Sequence, residues 1–292
     1  MADQLRHVFS LNHLLPGRMI SHIIWDIDPK VFDGIEFLGW YGLCWAVGMI
    51  LAYEITVRIY KAEGIPSIEL DKLTIFVMLG AMIGARLGHI LFYDPGYYLN
   101  NPIEILPIRI DPTFQFTGFA GLASHGGILG ALIGLYLYNR KLKNDYLWIL
   151  DRLVTGGALL GGFIRIGNLM NSEMIGIPSQ LPWAFVFSRI DQTPRHPTQL
   201  YEALFYLIIS LCLFLIWRSG KVSHCKGFLF GLGIFLIFLQ RFLVEFLKEN
   251  QVEFEEQLKL NMGQMLSIPL ILTGILIMAW SRKKFASRNA TE

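Results

Sequence analysis

The sequence is poor in charged residues, which excludes an ordinary soluble domain. Lys, Arg, Asp and Glu make up 16% of its 292 residues, whereas soluble domains contain about a quarter. The formal net charge is only +2, and no basic run indicates nucleic-acid binding. Hydrophobic residues reach 53% and the mean hydropathy is +0.46. The composition therefore predicts a multi-pass membrane protein.

Several common chemical motifs are also missing. The three cysteines, Cys44, Cys212 and Cys225, do not have the spacing of a metal or redox site. No cluster of histidines and carboxylates has metal-ligand spacing, and there is neither a GxSxG elbow nor a P-loop. The first 38 residues lack a charged segment followed by an apolar one, so we expect no cleaved signal peptide. We expect no metal site.

Long apolar segments predict an all-α integral membrane protein with about seven transmembrane helices. Each segment has about 20 residues, the length needed to cross the hydrocarbon core. The predicted spans are 39–60, 72–93, 119–139, 148–170, 198–218, 226–247 and 263–281. They divide the chain into an external amphipathic arm (1–38), a transmembrane bundle (39–281) and a basic cytoplasmic tail (282–292). The bundle carries external loops at 94–117 and 171–197.

The basic residues predict the orientation of the bundle. Lys and Arg are dense in the short connections on one side, for example Arg140, Lys141 and Lys143. On the other side they are spread over much longer segments. Because short cytoplasmic loops are enriched in Lys and Arg, the first side is expected to be cytoplasmic. With an odd number of spans, the N-terminus is then outside and the C-terminus is cytoplasmic.

Three arginines fall in the outer part of predicted spans, where a charged side chain is costly. They are Arg86, Arg165 and Arg241, and each costs about 3 kcal/mol or more at the centre of a bilayer. Polar residues from other spans lie at a similar or shallower depth, namely Tyr41, His125, Tyr201 and Glu202. Separate ion pairs between helices are the alternative, but they do not explain one shared layer. We therefore predict a polar cavity under the outer surface.

Helical spacing indicates what the cavity binds. Arg165 and Asn168 are separated by three residues, and Arg241 and Glu245 by four, so each pair shares a helix face. Glu245 is expected to hold Arg241 in position. The planar guanidinium donates two parallel hydrogen bonds to phosphate oxygens. At the outer face of a membrane, the expected anion is a phospholipid head group.

A histidine supplies a candidate acid–base group. His125 lies in SHGGILG (124–130), where Gly126 and Gly127 let backbone or substrate approach closely. Histidine titrates near neutral pH and can accept a proton from a thiol or hydroxyl. A hydrogen-bonded packing role is the alternative for a single histidine in a span, and both interpretations remain open.

Motifs along nearly the whole chain resemble those of the prolipoprotein diacylglyceryl transferase family. They are WYGLCWAVG (40–48), GARLGHILFYDP (84–95), SHGG (124–127), RIGNLMNSEMIG (165–176), HPTQLYE (196–202), RFLVEF (241–246) and GQMLSIP (263–269). One departure is Ile164, where the family usually has glycine before the arginine. Packing on that face is expected to differ, but the polar positions are intact.

The resemblance implies a reaction and its partners. Phosphatidylglycerol donates its diacylglyceryl group to the thiol of the lipobox cysteine in a preprolipoprotein, and glycerol phosphate leaves. The bundle would then be catalytic, without a metal or organic cofactor. It would lie in the bacterial cytoplasmic (inner) membrane, with its active site near the outer face. Both the lipid tails and the signal peptide would enter from the bilayer.

The resemblance also implies roles for residues of the lipid site. Arg165 and Arg241 would bind the lipid phosphate, and both count among the catalytic residues. Asn168 and Glu173 would shape the head-group site, and Gly176 would permit the turn beyond it. Arg86, from its shared depth, is expected at the same phosphatidylglycerol site.

Five further residues match positions of the family. His125 would be the base or a head-group ligand, and Tyr41 would hydrogen-bond the lipid or the incoming peptide. Glu245 and Glu202 would orient neighbouring donors. Asp151 matches too, but its cytoplasmic depth indicates support of the fourth span.

A transporter or flippase for an anionic lipid or solute is the alternative from another class. Such a protein would also place arginines in a cavity. Transporters usually bind near the membrane midplane and often contain repeats. The predicted cluster is shallow and no repeat is detectable, so the sequence favours the transferase.

Overall fold

The computed structural model describes residues 22–31, 39–93, 95–106, 108–109, 115–116, 123–142, 145–222, 224–249 and 260–289. These residues are mostly helical, which confirms the predicted all-α class. The chain divides into two compact units. Unit 1 comprises Met1–Thr56 and Leu150–Glu292, and unit 2 comprises Val57–Ile149.

Long helices dominate both units. They are α1 (Trp40–Ala62), α2 (Ser67–Phe92), the short α3 (Pro95–Asn100), α4 (Ser124–Leu142), α5 (Tyr146–Met170), α6 (Thr198–Arg218), α7 (Phe228–Val244) and α8 (Met262–Asn289). Within the described ranges, six helices are long and apolar enough to cross a membrane: α1, α2, α5, α6, α7 with its following turn, and α8. The chain is therefore an integral membrane protein, and the count of seven spans stays a prediction.

Three helix boundaries differ from the predicted spans by about five residues or more. Helix α2 begins at Ser67 rather than 72, because a polar first turn precedes its apolar part, and Glu69 pairs with Lys72 there at 2.8 Å. Helix α8 continues to Asn289 through residues predicted to be a separate tail. Helix α4 begins at Ser124 and not at 119; residues 119–122 lie outside the described part. Hydropathy detects the apolar part of a helix and misses its polar ends.

Small residues let the helices of unit 1 approach closely. A Cβ atom at Gly48 would lie 2.6 Å from Phe163, and one at Gly156 would lie 2.8 Å from the Ala52 carbonyl oxygen, so α1 and α5 touch at their backbones. Helices α5, α6 and α7 also share a core of five buried residues. These are Val154, Ala158, Ile209, Leu213 and Leu229.

Asp151 joins α5 to α7. Its carboxylate accepts hydrogen bonds from the backbone N–H of Gly227 at 2.6 Å and of Phe230 at 2.8 Å. These are unpaired donors at the start of α7, where the helix dipole also favours a negative charge. Arg152, the next residue, lies 3.8 Å from the same carboxylate. The contacts give Asp151 a supporting role in the packing of helices.

Glycines also define the packing in unit 2. Gly80, Gly84 and Gly88 of α2 face Gly126 and Gly130 of α4, and an added Cβ at any of them would approach a facing atom within 2.9 Å. Gly126 is therefore needed for helix packing: its Cβ would lie 2.2 Å from the Gly84 carbonyl oxygen. The neighbouring Gly127 has more space, since its closest contact would be 3.4 Å.

Short strands form a part of the fold that the sequence did not reveal. In unit 1, β1 (Ile23–Trp25) pairs in parallel with β4 (Phe185–Phe187), which pairs antiparallel with β5 (Pro194–Arg195). The Trp25 indole donates to the Leu169 carbonyl oxygen at 2.9 Å. This bond joins the predicted N-terminal arm to the end of α5. In unit 2, β2 (Ile108–Arg109) and β3 (Gln115–Phe116) form an antiparallel pair.

Candidate functional site

The C-terminal end of α5 carries a chain of hydrogen-bonded polar side chains. The Arg165 guanidinium donates from Nη1 to Asn168 Oδ1 at 3.3 Å, as expected for residues on one helix face. Asn168 Nδ2 donates to Glu173 Oε2 at 2.9 Å, and Asn171 Nδ2 donates to Glu173 Oε1 at 3.0 Å. Three residues predicted for the head-group site thus form one connected group.

The loop that presents Glu173 has an unusual backbone. Ser172 and Met174, on either side of Glu173, have φ angles of 55° and 58°, a left-handed conformation that costs a non-glycine residue about 1 kcal/mol or more. Glu173 is fixed by its own N–H, which donates to the Asn168 carbonyl oxygen at 2.9 Å. The Gln199 amide, fully buried in α6, donates to the Glu173 carbonyl oxygen. The surrounding contacts therefore hold this strained loop in place.

A buried network of charges extends from Arg165 into the neighbouring elements. Arg165 Nε lies 3.1 Å from Glu202 Oε2, close enough for an ion pair although this oxygen lacks an aligned hydrogen bond. Glu202 is fully buried, and its other oxygen lies 3.0 Å from Lys248 Nζ. Lys248 Nζ also lies 3.1 Å from Glu245 Oε2. One lysine therefore links two buried carboxylates.

Lys248 was missed by the sequence analysis, and the predicted partner of Glu245 was wrong. Glu245 pairs with Lys248, not with Arg241, because Glu245–Leu247 form a tight 3-10 turn after α7. In such a turn, residues separated by three positions lie over each other. The Glu245/Lys248 spacing was the available signal, but hydropathy assigned Lys248 to an external loop. Gly263 leaves room for this carboxylate, since a Cβ there would lie 2.6 Å from Glu245 Cδ.

Arg241 differs from Arg165 in its surroundings. It lies on α7, is partly buried, and has neither a hydrogen bond nor an ion pair with any residue that the structure describes. Its charge acts on the hydroxyl of Tyr206, as do the charges of Arg165 and Glu202. Arg241 therefore belongs to the same charged region, but it has no carboxylate of its own among the described residues.

Tyr206 was not predicted, and the charges of Arg165, Glu202 and Arg241 act on its hydroxyl. Its hydroxyl is close enough to the Arg165 guanidinium for the two groups to interact electrostatically. Its ring packs against Gly161, one helical turn before Arg165, where a Cβ would lie 2.9 Å from the ring atoms Cδ1 and Cε1. The spacing of four residues between Glu202 and Tyr206 was a signal for a shared helix face.

Tyr41 and Gly176, two further predicted residues, each make a close packing contact with another segment of unit 1. The Tyr41 ring packs on Gly167, the residue before Asn168, where a Cβ would lie 3.0 Å from ring atom Cδ2. At Gly176, a Cβ would lie 2.5 Å from the His196 carbonyl oxygen and 2.8 Å from that of Leu247. Gly176 is not among the described glycines with a positive φ. Close packing, rather than the predicted turn, is therefore the reason for glycine at this position.

Arg195 links the loop after α5 to the chain after α7. Its Nη2 lies 2.6 Å from Asp191 Oδ2 and its Nη1 3.0 Å from Glu249 Oε1, and Nη1 also donates to the Gly176 carbonyl oxygen at 3.3 Å. The hydrogen bond from Arg195 lowers the pKa of Asp191, and the same bond raises the pKa of Arg195. Burial lowers the pKa of His196 next to it. These bonds hold the 171–177 loop against the chain after α7.

Besides Gly126 and Gly127, two predicted site residues belong to unit 2. Arg86 donates from Nε to the Ile105 carbonyl oxygen at 2.9 Å and from Nη2 to that of Glu104, and its guanidinium lies 5.1 Å from the centre of the Tyr98 ring. These contacts favour a role in holding the segment after α3 rather than a phosphate. His125 lies in the first turn of α4, and its side chain lies outside the described part. The predicted role of His125 stays a prediction.

The described residues contain no group of three or more His, Cys, Asp or Glu side chains that could hold a metal ion. The donors that unit 1 brings together are guanidinium, ammonium, amide and phenol groups, and two of its carboxylates share an ion pair with Lys248. Such a set is suited to an anion with several oxygen atoms. It does not resemble a metal centre.

Comparison with known proteins agrees with this chemistry. A family profile described as prolipoprotein diacylglyceryl transferase matches residues 31–280. A Bacteroides fragilis protein is 46% identical over 273 residues, covering 92% of this chain and 98% of its own. Relatives from Tolumonas auensis (44%; 90% and 99% covered) and Chloroherpeton thalassium (39%; 90% and 96%) are similar. All three are named phosphatidylglycerol–prolipoprotein diacylglyceryl transferase. The chain therefore belongs to the prolipoprotein diacylglyceryl transferase family.

Proposed function

We propose that this chain transfers the diacylglyceryl group of phosphatidylglycerol to the lipobox cysteine thiol of a preprolipoprotein, and that Arg165 and Arg241 bind the lipid phosphate. Family membership makes the chain a transferase that acts in the first step of lipoprotein maturation. The observation that carries the site assignment is Arg241. It is a partly buried guanidinium without a protein acceptor among the described residues, and its charge acts on the Tyr206 hydroxyl together with that of Arg165.

The reaction explains why two arginines are needed. A sulfur–carbon bond forms at the glyceryl carbon while the bond from that carbon to the phosphate oxygen breaks. The released glycerol phosphate carries one more negative charge than the phosphodiester did. Donors aimed at such developing charge each lower the barrier by about 3–4 kcal/mol in other enzymes. Arginine suits this role because it stays protonated and presents a planar fork.

The two arginines contribute differently. Glu202 and Asn168 fix the orientation of Arg165, so its position does not depend on bound lipid. Arg241 has no such partner in the described part of the chain, and its full charge is available to the phosphate. Glu173, held by two amides, offers carboxylate oxygens to the hydroxyls of the glycerol head group. This acceptor favours phosphatidylglycerol over a lipid whose head group lacks hydroxyls.

The function can be tested with purified components. Purified protein in detergent, with phosphatidylglycerol and a lipobox peptide, is expected to give a peptide heavier by one diacylglyceryl unit. Mass spectrometry detects the product, and phosphatidylethanolamine in place of phosphatidylglycerol is the control lipid. Absence of modified peptide, together with transbilayer movement of phosphatidylglycerol in reconstituted vesicles, would establish the flippase alternative instead. The comparisons give that alternative no support.

The base is assigned on the sequence and has a separate test. We expect His125 to accept the proton of the substrate thiol, whose ordinary pKa is about 8.5. His125→Gln should then lower the rate sharply at pH 7 and recover partly toward pH 9, where the thiol ionises unaided. The measurement is the pH–rate profile with saturating lipid. A constant ratio of variant to wild-type rate from about pH 6.5 to 9 would rule out the base and favour a head-group ligand.

The orientation in the membrane is also a proposal. We place residues 94–117 and 171–197 on the outer side of the bacterial inner membrane, and the 140–143 segment and the C-terminus in the cytoplasm, because of the Lys and Arg distribution. A cysteine at position 141, in a variant lacking the native cysteines, should resist a membrane-impermeant reagent in intact cells. A cysteine at position 180 should react. Labelling at 141 would reverse the proposed orientation.

A further inference from the structure

Tyr206 lies at the point where α5 and α6 bring the charged side chains together. It follows Glu202 by one turn of α6, and its ring covers Gly161, which precedes Arg165 by one turn of α5. The Glu202–Arg165 ion pair at 3.1 Å and the Tyr206–Gly161 contact are thus two contacts between the same helices, one helical turn apart. A side chain larger than that of glycine at 161 would displace the phenol ring. The packing therefore fixes where the hydroxyl lies.

The contacts of the hydroxyl determine what it can do. Its neighbour Arg165 has only hydrogen-bond donors, so toward Arg165 the phenol oxygen can act only as an acceptor. The hydrogen of the phenol O–H then remains for another acceptor. In the part of the chain that the structure describes, no acceptor is bonded to it. The charges of Arg165 and Arg241 both act at this position, where a phosphate oxygen could accept from the phenol O–H.

We propose that Tyr206 is a further catalytic residue, whose phenol O–H donates a hydrogen bond to the phosphate of the bound lipid beside Arg165 and Arg241. This inference rests on the proposed function and adds a neutral donor to the two charged ones. As the sulfur–carbon bond forms and the carbon–oxygen bond breaks, the bonding electrons pass to the phosphate oxygen. The thiol proton goes to the base. Tyr206 keeps its own proton, and its hydrogen bond strengthens as the phosphate gains charge.

The competing explanation is that Tyr206 only fills space against Gly161. Two substitutions separate these roles. Tyr206→Phe keeps the ring and removes the hydroxyl, whereas Tyr206→Leu removes both. If the hydroxyl donates to the phosphate, Tyr206→Phe should lower kcat by about 10- to 100-fold, the range for a lost hydrogen bond to a charged group. KM for phosphatidylglycerol should change less, because the bond is stronger in the transition state.

The experiment measures kcat and KM for both variants with the lipobox peptide assay, at equal amounts of folded protein. Tyr136→Phe, at an exposed position of α4, is the control and should match the wild type. Incorporation of 3-fluorotyrosine at position 206 keeps a phenol O–H and should retain most of the activity. Wild-type kinetics in Tyr206→Phe with impairment only in Tyr206→Leu would overturn the inference in favour of packing. Equal loss with phenylalanine and 3-fluorotyrosine would overturn it too.

Failure of this inference is distinguishable from failure of the proposed function. If the wild-type protein modifies no peptide, the proposed function is wrong. If the wild type modifies the peptide and Tyr206→Phe does so equally well, only the role of Tyr206 is wrong. Thermal unfolding of each variant in detergent confirms that the compared proteins are folded.

Discussion

Arg241→Ala is expected to lower the rate of diacylglyceryl transfer by about 100- to 1,000-fold, the range for one lost oxyanion donor, while the protein remains folded. The fold should be retained because Arg241 makes no hydrogen bond or ion pair with a described residue that its removal would break. Arg241 has no ion pair with a described residue, so its removal leaves none of the described carboxylates without a counter-charge. The loss should therefore appear in kcat/KM and not in the thermal unfolding temperature.

Arg165 provides the contrasting case. Arg165→Ala removes a phosphate donor and also takes from the buried Glu202 one of its two cationic neighbours. Both activity and thermal stability should fall. In each position lysine is expected to rescue only partly, because an ammonium group cannot reproduce the planar fork. Arg140→Ala, at an exposed position of α4, serves as a control for the general loss of a positive charge.

The measurements are initial rates over a range of phosphatidylglycerol concentrations and unfolding temperatures of the same preparations. Near-normal kcat/KM in Arg241→Lys, at equal protein level, would show that Arg241 is not a bidentate phosphate ligand. A large drop in stability of Arg241→Ala would show that it holds the fold, and the difference proposed between the two arginines would be wrong.

The sequence predicted those features of the site that depend on local spacing. Arg165 and Asn168 share one face of an unbroken α-helix, so their hydrogen bond follows from the helical period alone. The same rule places Glu245 one α-helical turn after Arg241, and the Glu245 N–H does bond the Arg241 carbonyl oxygen, but the Glu245 carboxylate pairs with Lys248 from the tighter turn that follows.

Contacts between distant segments could not be predicted in the same way. Lys248 and Glu202 are 46 positions apart, and their 3.0 Å contact depends on how the chain after α7 returns to α6. Arg86 is a second case. Its position in the sequence suggested the lipid site, but its donors bond carbonyl groups of residues 104 and 105 in a segment that folds back on α2. A single sequence contains no information on such a return.

The strands were missed because of their length. Strand β1 has three residues, and β5 has two, which is too short to show the alternation that identifies a strand. The apolar character of Ile23, Ile24 and Trp25 was visible and suggested a surface arm. Their pairing with Phe185–Phe187 requires a partner 162 positions later in the chain. The sheet matters for the site, since the Trp25 indole bonds the carbonyl group of Leu169, next to Asn168.

Lys248→Met is expected to destabilise the fold by about 3–5 kcal/mol, the usual cost of removing one partner from a buried ion pair. Lys248 is almost fully buried between Glu202 and Glu245. Without it, Glu202 keeps only Arg165, and Glu245 keeps no cation that the structure describes. The network would then hold two carboxylates and one paired cation in a region with little water.

A second substitution tests whether this imbalance of charge, rather than lost packing, is the cause. Lys248→Met combined with Glu245→Gln removes one charge of each sign and leaves the Arg165–Glu202 pair intact. The double variant should therefore unfold at a higher temperature in detergent than Lys248→Met alone. Lys283→Met, at an exposed position of α8, is the matched control and should unfold like the wild type. If Lys248→Met alone matches the wild type, or if Glu245→Gln adds to its defect, Lys248 does not neutralise the two buried carboxylates. Another group would then have to stabilise the buried charge of Glu202, which orients Arg165.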